Sequence, residues 1–326
     1  IPLELQQLLL NIFKDSFAER FEQDIKPLLQ EVKGHLFNRD FSTAFGKDEY
    51  LETYAARWSA SRALGYADLF WDLRQQLWPK TSEVEGEGVG VAETRMKSRK
   101  VICLGGGAGA ELVALAGVQK MLTRASDDDG VAISVKMEVE AIDVADWKVV
   151  VDSLQKQITQ APTLSKYASA SAKATNAALL EPGSIGVEFL QHDILQMDQS
   201  PLSTTLQDAT LVTLLFTLNE LYSTSMALTQ KFLLNLTSSV STGALLLVVD
   251  SPGSYSTVML NGTEKKYPMQ WLLDHTLLNE GGSSAKDKDV KWEKIHEDES
   301  RWFRLESSLR YPIELENMRM QLHLYR

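Results

Sequence analysis

The apolar positions of the first eighty residues recur at helical spacing. Leu5, Leu8, Leu9, Ile12 and Phe13 fall on one face, and Phe17, Phe21, Ile25, Leu28 and Leu29 continue it. Pro27 marks a kink or a new first turn, and Asn38-Arg39-Asp40-Phe41 reads as a break. Residues 48–78 return to helix, carrying Tyr50, Tyr54, Trp58, Leu64, Tyr66, Leu69, Phe70 and Trp71. Aromatics at this spacing are read first as helix–helix core. Arg57 lies four residues from Ser61 and five from Arg62, which gives the helix a polar edge beside the aromatics. Residues 1–80 are therefore expected to form an N-terminal helical subdomain.

The pattern then changes twice. Residues 81–100 open with Thr81-Ser-Glu-Val-Glu-Gly-Glu-Gly-Val-Gly90 and read as a solvated linker. Lys97-Ser-Arg-Lys100 is a charged strand entrance or a phosphate contact. From residue 101 to 326 short apolar runs alternate with helical stretches. Strands are expected at Val101–Leu104, Val135–Ile142, Ile185–Leu190, Thr210–Leu215 and Ala244–Val249. Helices are expected to Thr123, from Trp147, over Met226–Leu236 and over Tyr267–Leu278. Loops are expected at Ser126–Gly130 and Asn279–Ser284, and residues 160–184 read as an Ala/Ser/Thr-rich insertion. Trp302–Leu309 and Met318–Tyr325 read as a terminal antiparallel pair. Such alternation predicts an α/β fold, a mainly parallel sheet covered on both faces.

Composition narrows the function classes. The apolar fraction of 44% and charged fraction of 24% are those of an ordinary globular protein. A single cysteine, Cys103, excludes an intramolecular disulfide and a cysteine-rich zinc site, and it fits a reducing compartment. The histidines show no ligand spacing, so no metal is expected. No apolar run is long enough to span a bilayer and no signal peptide is read. Net charge is −11, and residues 101–285 carry ten Lys and Arg against nineteen Asp and Glu. That balance weighs against nucleic acid, whose binders show a basic footprint.

The chemistry centres on Val101-Ile-Cys-Leu-Gly105-Gly106-Gly107-Ala-Gly109-Ala-Glu111. An apolar strand, a glycine turn and a helix start make a nucleotide-type cofactor site, because glycine lets backbone approach a ligand and take positive φ. Gly105-x-Gly107-x-x-Ala110 satisfies the dinucleotide fingerprint. Gly105-x-Gly107-x-Gly109 followed by Glu111 looks like methyltransferase motif I. In both readings an acid ending the second strand takes the ribose hydroxyls, and Asp143, followed by Val144, fits that role. His192-Asp193-Ile194 follows the third strand, and Asn219-Glu220-Leu221-Tyr222 the fourth. This order resembles that of class I methyltransferases, which implies S-adenosylmethionine over a nicotinamide, with Asp193 against the adenine and Asn219 to Tyr222 on the substrate.

Tyr54-Ala-Ala-Arg-Trp-Ser-Ala-Ser-Arg-Ala-Leu64, the Val101–Glu111 stretch and Asn219–Tyr222 together resemble a fungal methyltransferase family. Its described members methylate N3 of a uridine in large-subunit (25S) ribosomal RNA. The resemblance implies a class I, Rossmann-like methyltransferase fold with a C-terminal antiparallel hairpin. It implies ribosomal RNA or a pre-ribosome as partner, no membrane, and a nuclear or nucleolar location, with the cytoplasm an alternative. Glu220 is then the candidate base, and Asn219 or Tyr222 holds base carbonyls. Arg57, Arg62 and Tyr54 are candidates for substrate contact, by phosphate pairing or base stacking. The alternatives are a methyltransferase acting on a small molecule or protein, and a non-catalytic donor-binding assembly factor.

Overall fold

A computed structural model of the chain describes residues 1–22, 24–79, 98–128, 136–164, 166–170, 173, 176–253, 255–260, 263–278 and 292–326. The first segment is helical: α1 (Leu3–Ser16), α2 (Ala18–Glu22), α3 (Lys26–Phe37), α4 (Phe41–Ala44) and α5 (Asp48–Tyr54). Pro27 lies in the first turn of α3, where its missing N–H costs nothing. The break after α3 is closed by Arg39 in the left-handed region, at φ 56°. A π-helical turn, Ala55–Ser59, then joins α5 to α6 (Ala60–Asp72), and α7 (Arg74–Leu77) follows.

The second segment alternates β1 (Arg99–Leu104), α8 (Ala110–Asp128), β2 (Met137–Asp143), α9 (Lys148–Ile158), β3 (Ile185–Gln191), α10 (Gln199–Leu206) and β4 (Ala209–Leu215). It continues through α11 (Leu218–Thr224), α12 (Met226–Ser239), β5 (Leu245–Asp250), β6 (Tyr255–Leu260), β7 (Thr263–Pro268), α13 (Met269–Leu277), β8 (Lys294–Phe303) and β9 (Met318–Tyr325). Seven strands form one sheet in the order β3-β2-β1-β4-β5-β9-β8, with β6 and β7 pairing separately. Strands β1 to β5 pair parallel, and β9 runs antiparallel to both β5 and β8. The expected class I arrangement, a mainly parallel sheet ending in an antiparallel hairpin, is the one found.

Side-chain alternation on β1 shows how the layers are built. Val101 and Cys103 face one side, and Ile102 and Leu104 the other; all four are buried. The first side is covered by α1, α6, α8 and α9. Leu9, Phe13, Leu64, Phe70, Val113 and Leu154 share one apolar cluster with Val101, Leu211 and Leu247. The second is covered by α10 to α13, through Leu206, Tyr222, Leu233 and Leu273. The N-terminal helices thus pack directly on the sheet. They are also tied to the C-terminal hairpin: Arg301 on β8 pairs with Asp68 and Asp72 on α6. Gly65 lets α6 approach closely, since a Cβ there would lie 3.3 Å from the Phe303 ring and strike Met318.

Several expected boundaries move. The linker assigned to 81–100 lies outside the described residues over 81–97, and β1 begins at Arg99. Helix α8 continues past Thr123 to Asp128, so two residues of the acidic triplet are helical. Tyr267 lies in β7, and the following helix starts only after Pro268. The hairpin's first strand is Lys294–Phe303, eight residues earlier at its start than Trp302–Leu309. Half of its residues, in Lys-Ile-His-Glu-Asp-Glu-Ser-Arg-Trp-Phe, are charged, which suits an edge strand, where charge blocks further pairing. Among the described residues no helix is long and apolar enough to cross a membrane.

Candidate functional site

The strand order reverses between β1 and β4, since β2 leaves β1 on one side and β4 flanks it on the other. In open α/β sheets, ligands bind at such a switch point, outside the carboxyl ends of the strands. The candidate residues gather at that end. Gly105 takes φ 77° as β1 ends, and its N–H donates to Ile142 O at 2.7 Å. Gly109 takes φ 80°, and its N–H donates to Gly106 O at 3.1 Å, closing the turn one residue before α8. A Cβ on Gly105 would strike Thr217, and one on Gly107 would lie 2.6 Å from Trp147 Cγ. The turn therefore admits only glycine at these two positions.

Asp143, at the end of β2, stands beside this turn. Its Oδ2 accepts from Gly107 N–H at 3.2 Å and its Oδ1 from Ala145 N–H at 3.3 Å. Burial pushes this carboxyl up, against the backbone N–H groups of Ala145 and Gly107, which favour the charged form. Val144 next to it is 64% exposed, an apolar surface suited to a nucleobase face. After β3, Asp193 Oδ1 accepts from Leu195 N–H at 3.0 Å, which fixes the carboxylate at the strand end. Ile194 is buried in the second apolar layer, beneath this rim.

Glu111 is placed differently from a cofactor contact. It is 3% exposed and lies under the turn, so close that a Cβ on Gly106 would meet its Oε2. Among the described residues neither carboxylate oxygen is in hydrogen-bond geometry with a partner. Burial raises its pKa to about 8, against the neighbouring Thr213 hydroxyl and Cys103 thiol. Glu111 therefore lies beneath the glycine turn, where burial disfavours its charged form. Cys103 is buried, and burial pushes its thiol well up, so it is unreactive.

The other half of the site follows β4. Phe216 adopts φ 58°, a strained backbone for a non-glycine residue, and its N–H donates to Val249 O at 2.7 Å. Helix α11 then begins. Asn219 N–H donates to Asp250 Oδ2 at 3.1 Å, while Asn219 Oδ1 is buried without a partner among the described residues. Glu220 is half-buried; burial raises its pKa, and the Arg39 charge opposes that shift. Tyr222, by contrast, is 3% exposed in the second apolar layer. It does not share the cleft with Asn219 and Glu220.

The N-terminal helices supply the roof. Tyr54 and Phe45 pack on Trp147 with ring centroids 5.6 and 5.2 Å apart, and Trp58 lies against Tyr54 at 5.0 Å. This aromatic group covers the Gly107–Asp143 corner. The polar edge expected on this helix splits in two. Arg57 pairs with Glu316 of the C-terminal loop, whereas Arg62 donates to Tyr54 Oη at 2.7 Å and lies 5.1 Å from the Phe216 ring. The π turn between Tyr54 and Ala60 rotates later side chains relative to earlier ones and separates the two arginines. Phe216, Trp147 and Asp250 were not read as site residues from sequence. Of these, Asp250 carried a signal, since it ends an apolar strand as Asp143 does. A surface hollow of about 700 Å³ lies away from the switch point, bordered by Leu3, Gln7, Asn11, Asn176 and Leu309.

These features meet the needs of a nucleoside-bearing methyl donor: a cradle that a Cβ would fill, two strand-end carboxylates and an apolar rim. The family comparison and a sequence relative agree. A family model described as "Putative SAM-dependent methyltransferase" matches residues 13–326. A protein of Saccharomyces cerevisiae named 25S rRNA (uridine(2843)-N(3))-methyltransferase is 33% identical over 98% of this chain and 85% of its own length. A methyltransferase from Clostridium acetobutylicum, 8% identical, covers 81% of this chain and 91% of its own with a TM-score of 0.36. An O-methyltransferase family protein from Burkholderia thailandensis, 15% identical, covers 95% and 71% with a TM-score of 0.38.

Proposed function

This chain belongs to that family of S-adenosylmethionine-dependent methyltransferases, and we propose that it methylates N3 of a uridine in large-subunit ribosomal RNA. The observation that carries the acceptor is the identity of 33% along nearly the whole chain to a relative named for that reaction. Such an acceptor places the protein with pre-ribosomes, in the nucleus or nucleolus.

When bound, S-adenosylmethionine supplies an electrophilic methyl group on a sulfonium centre, which is left as a neutral thioether. The chain's own residues hold the nucleoside end and handle the acceptor's proton. Asp143 would accept the ribose hydroxyls, Asp193 would meet the adenine edge, and Val144 would offer its apolar surface to the ring. The turn Gly105–Gly109 lets the backbone approach. Glu220, half-buried beside Asp250, takes the N3 proton as N3 gains its methyl group. Its raised pKa makes it a better base than an exposed glutamate. Asn219, whose buried Oδ1 lacks a partner among the described residues, turns its amide to the pyrimidine edge. The aromatic roof from Phe45, Tyr54 and Trp58 keeps water from the corner where these groups meet.

A second reading rests on charge. The ten basic against nineteen acidic residues of 101–285 favour a small-molecule or protein acceptor over RNA. One experiment separates them: the chain is incubated with labelled donor and, in parallel, naked large-subunit RNA, an RNA-free protein extract and a metabolite pool. Label confined to the RNA supports the proposal. Label in either other pool, with none in RNA, overturns it.

A further inference from the structure

Arg62 differs from two of the other arginines on the helical roof. Arg20 pairs with Glu52 at 2.8 Å, and Arg57 pairs with Glu316. Arg62 has no carboxylate within ion-pair distance among the described residues. The one hydrogen bond from its five N–H donors goes to the Tyr54 hydroxyl. Its guanidinium is half-buried and rests 5.1 Å from the Phe216 ring, whose strained backbone holds it there. Tyr66, itself buried and one helical turn on from Arg62, stacks on the same ring with centroids 6.4 Å apart. Thr217, the next residue, sits against Gly105. Arg62 therefore lies over the carboxyl ends of β1 and β4, at the switch point.

Direction follows from the strand order. An adenine edge at Asp193 belongs to β3 and ribose hydroxyls at Asp143 belong to β2. Neighbouring strands are about 4.8 Å apart, so the remaining end of the donor runs back across β1 towards β4. That end is an amino acid, and its one anionic group is the α-carboxylate. A guanidinium matches a carboxylate in charge and planar geometry. We infer that Arg62, oriented by Tyr54, receives the α-carboxylate of the donor's methionine moiety. The helical roof is then part of the donor site, and the family's distinctive stretch from Tyr54 to Leu64 serves donor recognition, not RNA contact. The inference rests on S-adenosylmethionine being the donor.

Titration calorimetry with two ligands tests this without turnover. S-adenosylmethionine and its decarboxylated form differ only in the carboxylate. The wild-type chain should prefer the former by about 10- to 100-fold, the range of a charge-assisted hydrogen-bonded pair. Arg62→Met should abolish that preference by weakening S-adenosylmethionine alone, Arg62→Lys should restore part of it, and Tyr54→Phe should reduce it several-fold. Equal loss for both ligands in Arg62→Met, or a wild-type chain indifferent to the carboxylate, would overturn the assignment while leaving the donor in place. A wild-type chain that binds neither ligand would remove the donor reading, and this assignment with it.

Discussion

Substituting Gly107 by alanine probes the joint between the glycine turn and the ribose acid. The added Cβ would lie 2.6 Å from Trp147 Cγ and 2.9 Å from Asp143 Cβ, where carbon atoms rest at about 3.5–4.0 Å. With Trp147 Cδ1 closer still, one side must yield by more than ~1 Å. Trp147 is 2% exposed and wedged against Phe45 and Tyr54, so it has no free direction. Overpacking of this kind costs about 1–3 kcal/mol. Asp143 is displaced with it, and its hydrogen bond from Gly107 N–H is strained. Losing one charge-assisted hydrogen bond to a ribose hydroxyl costs a further ~1.5–3 kcal/mol of donor affinity, at least tenfold. Urea unfolding and calorimetric titration with S-adenosylhomocysteine read the two effects separately. Gly34→Ala is the control: it lies in α3 with nothing within 4 Å of its added Cβ, and it should stabilise by about 0.5–1 kcal/mol without touching affinity. A Gly107→Ala chain with wild-type stability and affinity would refute the packing argument.

Two further predictions concern protons. Glu220→Gln should spare donor binding and lower turnover about 10²–10⁴-fold. The wild-type rate should rise as pH climbs through the raised Glu220 pKa, because a base works deprotonated, and the variant should lose that limb; unchanged turnover removes Glu220 as the base. Glu111, with a folded pKa of about 8, binds a proton that the unfolded chain has already released above pH ~4.5. Its contribution to stability is complete below that pH and is lost as pH rises through about 8. Glu111→Gln, neutral and similar in shape, should flatten that decline and be more stable than wild type at pH 8 in urea unfolding, by on the order of a few kcal/mol. A wild-type slope retained in the variant would show that Glu111 is charged when folded.

What could be read from sequence follows physical lines. The stretch around β1 was legible because a central parallel strand is apolar on both faces and its turn admits only glycine at two positions. Asp143 was legible from its place at a strand end. The first strand of the terminal pair was expected at Trp302–Leu309 and begins eight residues earlier, because the half-exposed, charged start of an edge strand gives little apolar alternation to read. The β6–β7 pair was missed although Asn261-Gly262, a common hairpin dipeptide, separates the two runs. The meeting of Tyr54 with Arg62 was beyond periodicity. Eight residues span about 12 Å of helix, and an intervening π turn sets which faces coincide. Glu111 read as a cofactor contact because it follows the glycines, whereas its side chain turns beneath them. Tyr222 read as a substrate contact because it sits three residues after Asn219 and two after Glu220, yet the helix carries it into the core.

The central claim is tested most directly by the identity of the methylated nucleoside. Unmodified large-subunit ribosomal RNA is incubated with labelled S-adenosylmethionine and either the wild-type chain or Asp143→Ala, then digested to nucleosides and separated. The account predicts label in 3-methyluridine with the wild-type chain and its loss with Asp143→Ala. Label in a different nucleoside, or equal label with Asp143→Ala, would contradict it.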